Sequence, residues 1–235
     1  MITTQLKEQV AADCFKRGDI EACGFIVDGT VVPCENVATN PETGFVIAPE
    51  DYAKAEELGT IECVYHSHIN SNEKFSAHDI GVCKQSNLPW LLYSTNTGGF
   101  RYADPRGNAP YLGRDWVYGI HDCYSLMRDF YRRELEIVLD DFPRGEEGEW
   151  ENGTWMMFVN NYEGQGFVEV DRPEKHGDFI LMNIVAPTPN HAAVFLPERN
   201  CFYHHLMDRQ SEVTVWGAAW SRMTYKVLRH ESLMQ

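Results

Sequence analysis

The chain has 235 residues and a formal net charge of −15, with acidic residues in excess in both halves, which excludes a protein that wraps nucleic acid by neutralising its phosphates. Its length suits two domains, and a 43% hydrophobic and 12% aromatic composition fills two cores without covalent staples. No apolar run approaches the roughly 20 residues that span a bilayer, and seven cysteines at irregular spacing with no C-x-x-C pair argue against a disulfide framework or a zinc ribbon.

The start, MITTQLKEQVAADCF, lacks the apolar centre of a signal peptide, so synthesis in a cytoplasm is expected. Residues 4–17 predict an amphipathic helix carrying Leu6, Val10 and Cys14 on one face, capped by Thr3 or Thr4 and ended by Gly18. The run EACGFIV, the pair Asp28-Gly29 and the run TVVPCENVA predict a hairpin. Glu21 sits at its near end, where by itself it reads as a solvated charge. After a short apolar run, FVIAP, a helix follows Pro49 and closes at Gly59. The strand IECVYHSH comes next, then an exposed polar loop and a helix SAHDIGVCKQSN capped by Ser76. LPWLLYS and GGFRYADP complete the first half as strands.

The richest chemistry lies from Tyr65 to Ile80. His66 and His68, at i and i+2 on an extended segment, project to the same side and can grip one ion. Asp79 supplies a third ligand, and two His with a carboxylate form one of the sets that hold catalytic Zn²⁺ while leaving a position for water. The spacing H-x-H-x7-S-x2-D resembles that of the JAMM (MPN-plus) metallopeptidases. That resemblance implies that Glu21, just before a small-Cys-Gly-apolar strand, is the general base. It also implies that Ser76 supports an oxyanion, a role compatible with capping. Ile69 and Phe75 stand where many members carry proline, a change that bears on loop rigidity more than on metal binding.

Residues 105–113, rich in Gly, Pro and Asn, read as a linker. Cys123 then opens a predicted helix, YSLMRDFYRRELEIVL, with Met127, Phe130, Tyr131 and Val138 on its buried face. A thiol on a first helical turn is expected to be acidified. The acidic stretch DFPRGEEGEWENGTW reads as a mobile insertion. Beyond it, Trp155, Met156, Phe158, Val159 and Tyr162 read as a packed helix face. His191 opens an apolar strand, PERN turns it, and His204 and His205 sit on the returning strand. Nucleophile, base and orienter are thereby available. Trp216 and Trp220, in the aromatic-rich end of the chain, read as core.

DCYS around Cys123, HGDFILM, N-His191-AAVFL and Tyr111 twelve residues before the thiol together resemble the NlpC-type, papain-like cell-wall peptidases. By that resemblance Cys123 is the nucleophile, His191 the base and His204 the third residue, while Tyr111 assists the Cys123 backbone N–H in the oxyanion hole. Tyr124 and Ser125 replace the usual Ser-Gly after the cysteine, which narrows the cleft.

The expected fold is α+β in two domains. Residues 1–104 would form a JAMM/MPN-like mixed sheet with flanking helices, 105–113 a linker, and 114–235 a papain-like NlpC domain. This pair of modules is similar to a tail assembly family of lambda-like tailed phages. The resemblance implies a zinc-dependent amide or isopeptide hydrolase joined to a cysteine endopeptidase acting on peptidoglycan stem peptides. Other tail tip proteins would be its partners, the host cytoplasm its place of synthesis, and the tail tip and host periplasm its locations on entry. Two other readings stand beside it: an assembly factor with occluded or vestigial sites, and a deubiquitinase-like processing protease.

Overall fold

A computed structural model of the chain describes residues 2–145, Glu149 and residues 153–234. The chain divides into two compact units, Met1–Arg106 and Gly107–Gln235, each with its own sheet and core.

In the first unit, helix α1 (Thr4–Arg17) starts where the Thr3 hydroxyl accepts the Leu6 N–H and ends at Gly18 with φ 67°. Its buried Leu6, Val10 and Cys14 pack on Ile26, Cys63, Tyr65 and Leu91 of the sheet. Strands β1 (Cys23–Val27) and β2 (Thr30–Cys34) turn at Asp28 and Gly29, both at positive φ, as the tight primed turn of a two-residue hairpin requires. Helix α2 (Pro49–Leu58) leads into β3 (Ile61–His68), then come α3 (Ala77–Ser86), β4 (Trp90–Ser94) and β5 (Phe100–Ala103). The run FVIAP forms no strand; only Ile47 makes an isolated bridge, to Asn36.

The sheet order is β2-β1-β3-β4-β5. The central β3 runs antiparallel to β1 and parallel to β4. Held on both edges, its His66–His68 end is fixed in register with two neighbours, and the parallel connection to β4 carries α3 past that same end.

Of the segment 105–113 read as a linker, residues 107–113 belong to the second unit and are tied down. Arg132 and Arg133 donate to the carbonyls of Gly107 and Ala109, and Arg114 also donates to Ala109, which stitches the segment to the far end of α4 (Cys123–Glu134). That helix ends earlier than its periodicity predicts. The N–H groups of Leu135 and Ile137 both turn back to the Tyr131 carbonyl and Glu136 takes φ 57°, leaving Val138 80% exposed rather than on a buried face.

The stretch read as a mobile insertion lies partly outside the described residues, at 146–148 and 150–152. The helix expected beyond it is the short α5 (Met157–Asn161), with Met157 and Phe158 buried. Strands β6 (Phe167–Val170), β7 (Phe179–Met182), β8 (His191–Leu196), β9 (Cys201–His204) and β10 (Glu212–Val215), helix α6 (Ala218–Met223) and strand β11 (Thr224–His230) follow. They build an antiparallel sheet in the order β10-β9-β8-β7-β11-β6. Trp216 and Trp220 pack, partly buried, on Phe202.

The start of α4 is locked by a buried ion pair. Asp122 caps it by accepting the Ser125 N–H at 2.7 Å, and its other oxygen takes the Gly119 N–H and the Arg144 Nε at 2.9 and 2.7 Å. Both charged side chains are 4% exposed. Burial opposes ionisation of Asp122, but the Arg144 charge and the Ser125 N–H outweigh it and hold the carboxyl at about 2. Asp122→Ala, which strands a buried guanidinium, is therefore expected to destabilise the second unit by about 3–5 kcal/mol in chemical denaturation. In the wild-type chain this contribution is fully present above the ordinary carboxylate pKa and is lost as pH falls toward 2, because the folded-state value is depressed.

Candidate active sites

In the first unit, the β1–β3 register pairs Cys23 with His66. The pairing continues past the strand end: the Ser67 N–H reaches the Ala22 carbonyl at 3.0 Å, and the Ser67 hydroxyl accepts the Ala22 N–H at 2.8 Å. Glu21 follows where this pairing ends, its N–H on the Pro41 carbonyl at 2.7 Å, and it lines the same cavity as His68 and Asp79. Asp79 arrives from the first turn of α3, where it forms a capping box with Ser76.

Three of the predicted side chains converge. Ligand-type atoms of His66, His68 and Asp79 all lie within 4.8 Å of one another. His66 Nε2 is 3.6 Å from Asp79 Oδ1, and His68 Nε2 is 3.5 Å from Asp79 Oδ2. These spacings are too long for good hydrogen bonds and close to the ~3.3 Å between neighbouring ligands around a tetrahedral ion with bonds of about 2.0–2.1 Å. Both ring nitrogens of His66 are buried without a hydrogen-bond partner. A buried polar atom left so is destabilising, and a cation would satisfy it, so the donor set fits a divalent metal.

The electrostatics favour the ligand forms of His66 and Asp79, while the surrounding carboxylates favour a proton on His68 that a bound cation would displace. Burial lowers the His66 pKa, keeping the ring neutral. His68 is held above its usual value, burial being overcome by Asp79 and the Asn72 carbonyl. Burial also disfavours ionised Asp79, but His66, His68 and the Ser76 hydroxyl outweigh it and hold the carboxyl far below the usual range. Glu21 is 5% exposed, and burial pushes its carboxyl up to about 7, with His68 lowering and Asp79 raising it.

Glu21, His68, Ser76 and Asp79 open on a cavity of about 620 Å³ whose far wall is residues 38–46. Ser76 donates its hydroxyl proton to Asp79 Oδ2 at 2.7 Å. Its present role is thus to orient the carboxylate, and oxyanion support would need that proton to swing away.

Other residues that shape this site carry no local sequence signal. Phe45 stacks on His66 at 4.7 Å between ring centres, with Trp90 and Phe75 at 5.4 and 5.9 Å. Asn36 donates to the carbonyls of Glu21 and Gly44 at 2.9 and 3.0 Å and accepts the N–H groups of Ala38 and Val46 at 3.0 and 3.1 Å. One side chain thereby closes the cavity wall and ties it to Glu21. Asn36→Ala is expected to loosen residues 37–46, speeding limited proteolysis there at least about tenfold through loss of about 2 kcal/mol of local stability.

In the second unit, Cys123 opens α4 against the start of β8, where the backbone N–H of Ala192, the neighbour of His191, is near enough to lower the thiol pKa. His191 Nε2 lies 3.1 Å from His204 Nδ1, on the adjacent strand. His205 turns elsewhere, with Nε2 on the Arg209 carbonyl at 3.0 Å and its ring edge-on to Trp116.

Two expectations are corrected. The Tyr111 hydroxyl bonds Glu134 at 2.9 Å, with Arg133 over its ring. Glu134 is the last of the 12 residues of the helix that begins with Cys123, and a rise of 1.5 Å per residue separates those ends by roughly 16 Å. Tyr111 thus lies away from the thiol, because the segment carrying it is stitched to the wrong end of α4. Nor is the thiol acidified: burial, then the Asp122 carboxylate, push Cys123 up to about 12 despite the N–H groups of Ala192 and Tyr124. Burial also lowers both histidines, His204 to about 4 and His191 well below its usual value. At rest the thiol and both imidazoles are thus held neutral.

Residues 113–229 match the NlpC/P60 family. Over 219 residues the chain is 35% identical to tail tip assembly protein K of Escherichia phage N15, covering 91% of this chain and 89% of that protein. Over 189 residues it is 32% identical to tail tip assembly protein K of Escherichia phage lambda, covering 79% and 90%. With nearly the whole length of both relatives matched, the chain belongs to the tail tip assembly protein K family of lambda-like phages and carries an NlpC/P60 domain in its second half.

Proposed function

We propose that this tail tip assembly protein carries two amide-hydrolysing sites: a JAMM-type metallopeptidase site in the first unit and a cysteine endopeptidase site in the second that cuts peptidoglycan stem peptides. The observation that carries the first is the buried, unpartnered pair of nitrogens on His66 within reach of His68 and Asp79. His66, His68 and Asp79 would hold a divalent cation, zinc being the ion for which two imidazoles and a carboxylate are a known catalytic set. Such an ion, when bound, acidifies water and polarises a carbonyl oxygen. Glu21 takes the water proton and returns it to the leaving amine, a task that its raised pKa suits.

In the second site, His191 Nδ1 accepts the Cys123 proton as the sulfur attacks the amide carbonyl. The proton passes to the leaving amine when the C–N bond breaks, and water then cleaves the thioester. His204 orients His191. With Tyr111 elsewhere, oxyanion support falls to the Cys123 backbone N–H, which as the first of the helix has no intrahelical acceptor. Membership of the tail tip family supports other tail tip proteins as partners, and among the described residues no helix is long and apolar enough to cross a membrane.

Mass mapping of products from purified peptidoglycan tests both halves. Stem-peptide fragments released with or without chelator, but not by Cys123→Ala, support the thiol site. Amide products lost with chelator and in Glu21→Gln support the metal site. No product under any condition would leave an assembly factor with silent sites.

A further inference from the structure

The pair His191–His204 continues beyond the three residues that the thiol chemistry needs. His204 Nε2 lies 3.0 Å from the Thr214 hydroxyl, and a Glu212 carboxylate oxygen lies 3.6 Å from the same nitrogen. Both residues belong to β10, whose register sets Glu212 opposite His204. The aromatic rings of Phe202 and Trp220 also lie against the His204 ring, at 4.9 and 5.0 Å, and the charges of His205 and Arg209 act on it, opposing a second proton.

A neutral imidazole has one donor nitrogen and one acceptor nitrogen, so the line His191–His204 can run in two directions. If His204 Nδ1 carries the proton and donates to His191 Nε2, then His191 must hold its own proton on Nδ1 and cannot act as a base there. If His191 Nε2 donates to His204 Nδ1, then His204 holds its proton on Nε2 and His191 Nδ1 is a free lone pair. The Thr214 hydroxyl accommodates either direction, since it both donates and accepts. A carboxylate only accepts, and its place beside Nε2 favours the second direction.

We infer that Glu212 and Thr214 are positioning residues that set the tautomer of His204 and, through it, keep His191 Nδ1 free of a proton. The catalytic meaning of this rests on the reading of Cys123 and His191 given above; the tautomer itself does not. Glu212 supplies the direction and Thr214 the close acceptor that satisfies the buried Nε2–H.

The test is long-range ¹H–¹⁵N NMR of the full chain labelled in histidine, which reads the protonated nitrogen of each ring without turnover. In wild type, His191 is expected in the Nε2–H form to at least about nine-tenths. In the double variant Glu212→Gln with Thr214→Val, the Nδ1–H form of His191 rises to about one half, the value for a pair with no bias. Thr214→Ser, which keeps the hydroxyl, returns the wild-type spectrum. Glu212→Gln alone changes a side chain that is 43% exposed; it is expected to raise the Nδ1–H form measurably and serves if the double variant does not fold. A wild-type His191 spectrum in the folded variants overturns the inference. Absence of peptidase activity with the tautomer shift present would instead sink the reading of the thiol site and leave this one standing.

Discussion

Replacing Cys123 by alanine is expected to lower hydrolysis of stem peptides by at least about 10⁴-fold in kcat/KM, in line with removal of the nucleophile in other covalent hydrolases. The size follows from the placement: Cys123 opens α4 against Ala192, the neighbour of His191. The fold should survive, because a buried thiol behaves as a small hydrophobe and alanine keeps its Cβ. The pH profile of the wild-type chain is part of the same expectation. With the thiol pushed up to about 12 and His191 held neutral by burial, the reactive form is the neutral pair. It persists on the acid side until His191 takes a proton, which its lowered pKa postpones to below the ordinary histidine range. The profile from pH 6 to 8 should be flat, whereas a thiolate–imidazolium pair would show a shoulder near the histidine pKa. Steady-state rates across that range decide between them.

Purified without added metal and then titrated with Zn²⁺, the wild-type chain is expected to bind one ion in its first unit, and His66→Ala or Asp79→Ala to lose at least about 100-fold in affinity. Saturation at 1,000 times Kd would add about 4 kcal/mol to the stability of that unit, seen as a rise in its melting temperature that chelator reverses. The second unit should melt unchanged, having a separate core. Elemental analysis and calorimetry check both statements; absence of a bound ion and of any shift would refute the metal reading. The magnitude is credible because the site is already assembled. Two ligands hang on a strand fixed on both edges and the third on a capped helix, so little ordering opposes binding.

Much of this arrangement is legible in the sequence where the signal is local. Strand alternation puts His66 and His68 on one face, Asp28-Gly29 marks the hairpin, and Ser76 with Asp79 marks the head of α3. What local reasoning misses depends on contacts far apart in the chain. Asn36 and Phe45 look like ordinary loop residues, yet one closes the cavity wall and the other covers His66. Arg144 lies in a stretch that reads as solvated and acidic, but it is buried on Asp122. Acidity of Cys123 was expected from its helix position alone, and burial reverses it. Tyr111 has suitable spacing along the chain and the wrong place in space, because arginines at the far end of α4 capture the segment that carries it. Glu212 and Thr214 carry no motif; only the β9–β10 register brings them to His204.

All seven cysteines are buried and unbridged, and for Cys14, Cys23, Cys34, Cys63, Cys83 and Cys123 burial raises the thiol pKa above its ordinary value. Since the thiolate is the form that attacks oxidants and disulfides, these six buried thiols are poor partners for adventitious crosslinking in the native molecule. The folded chain is therefore expected to keep its thiols uncrosslinked and its native state in aerated buffer without a protective thiol, as thiol titration before and after storage would check.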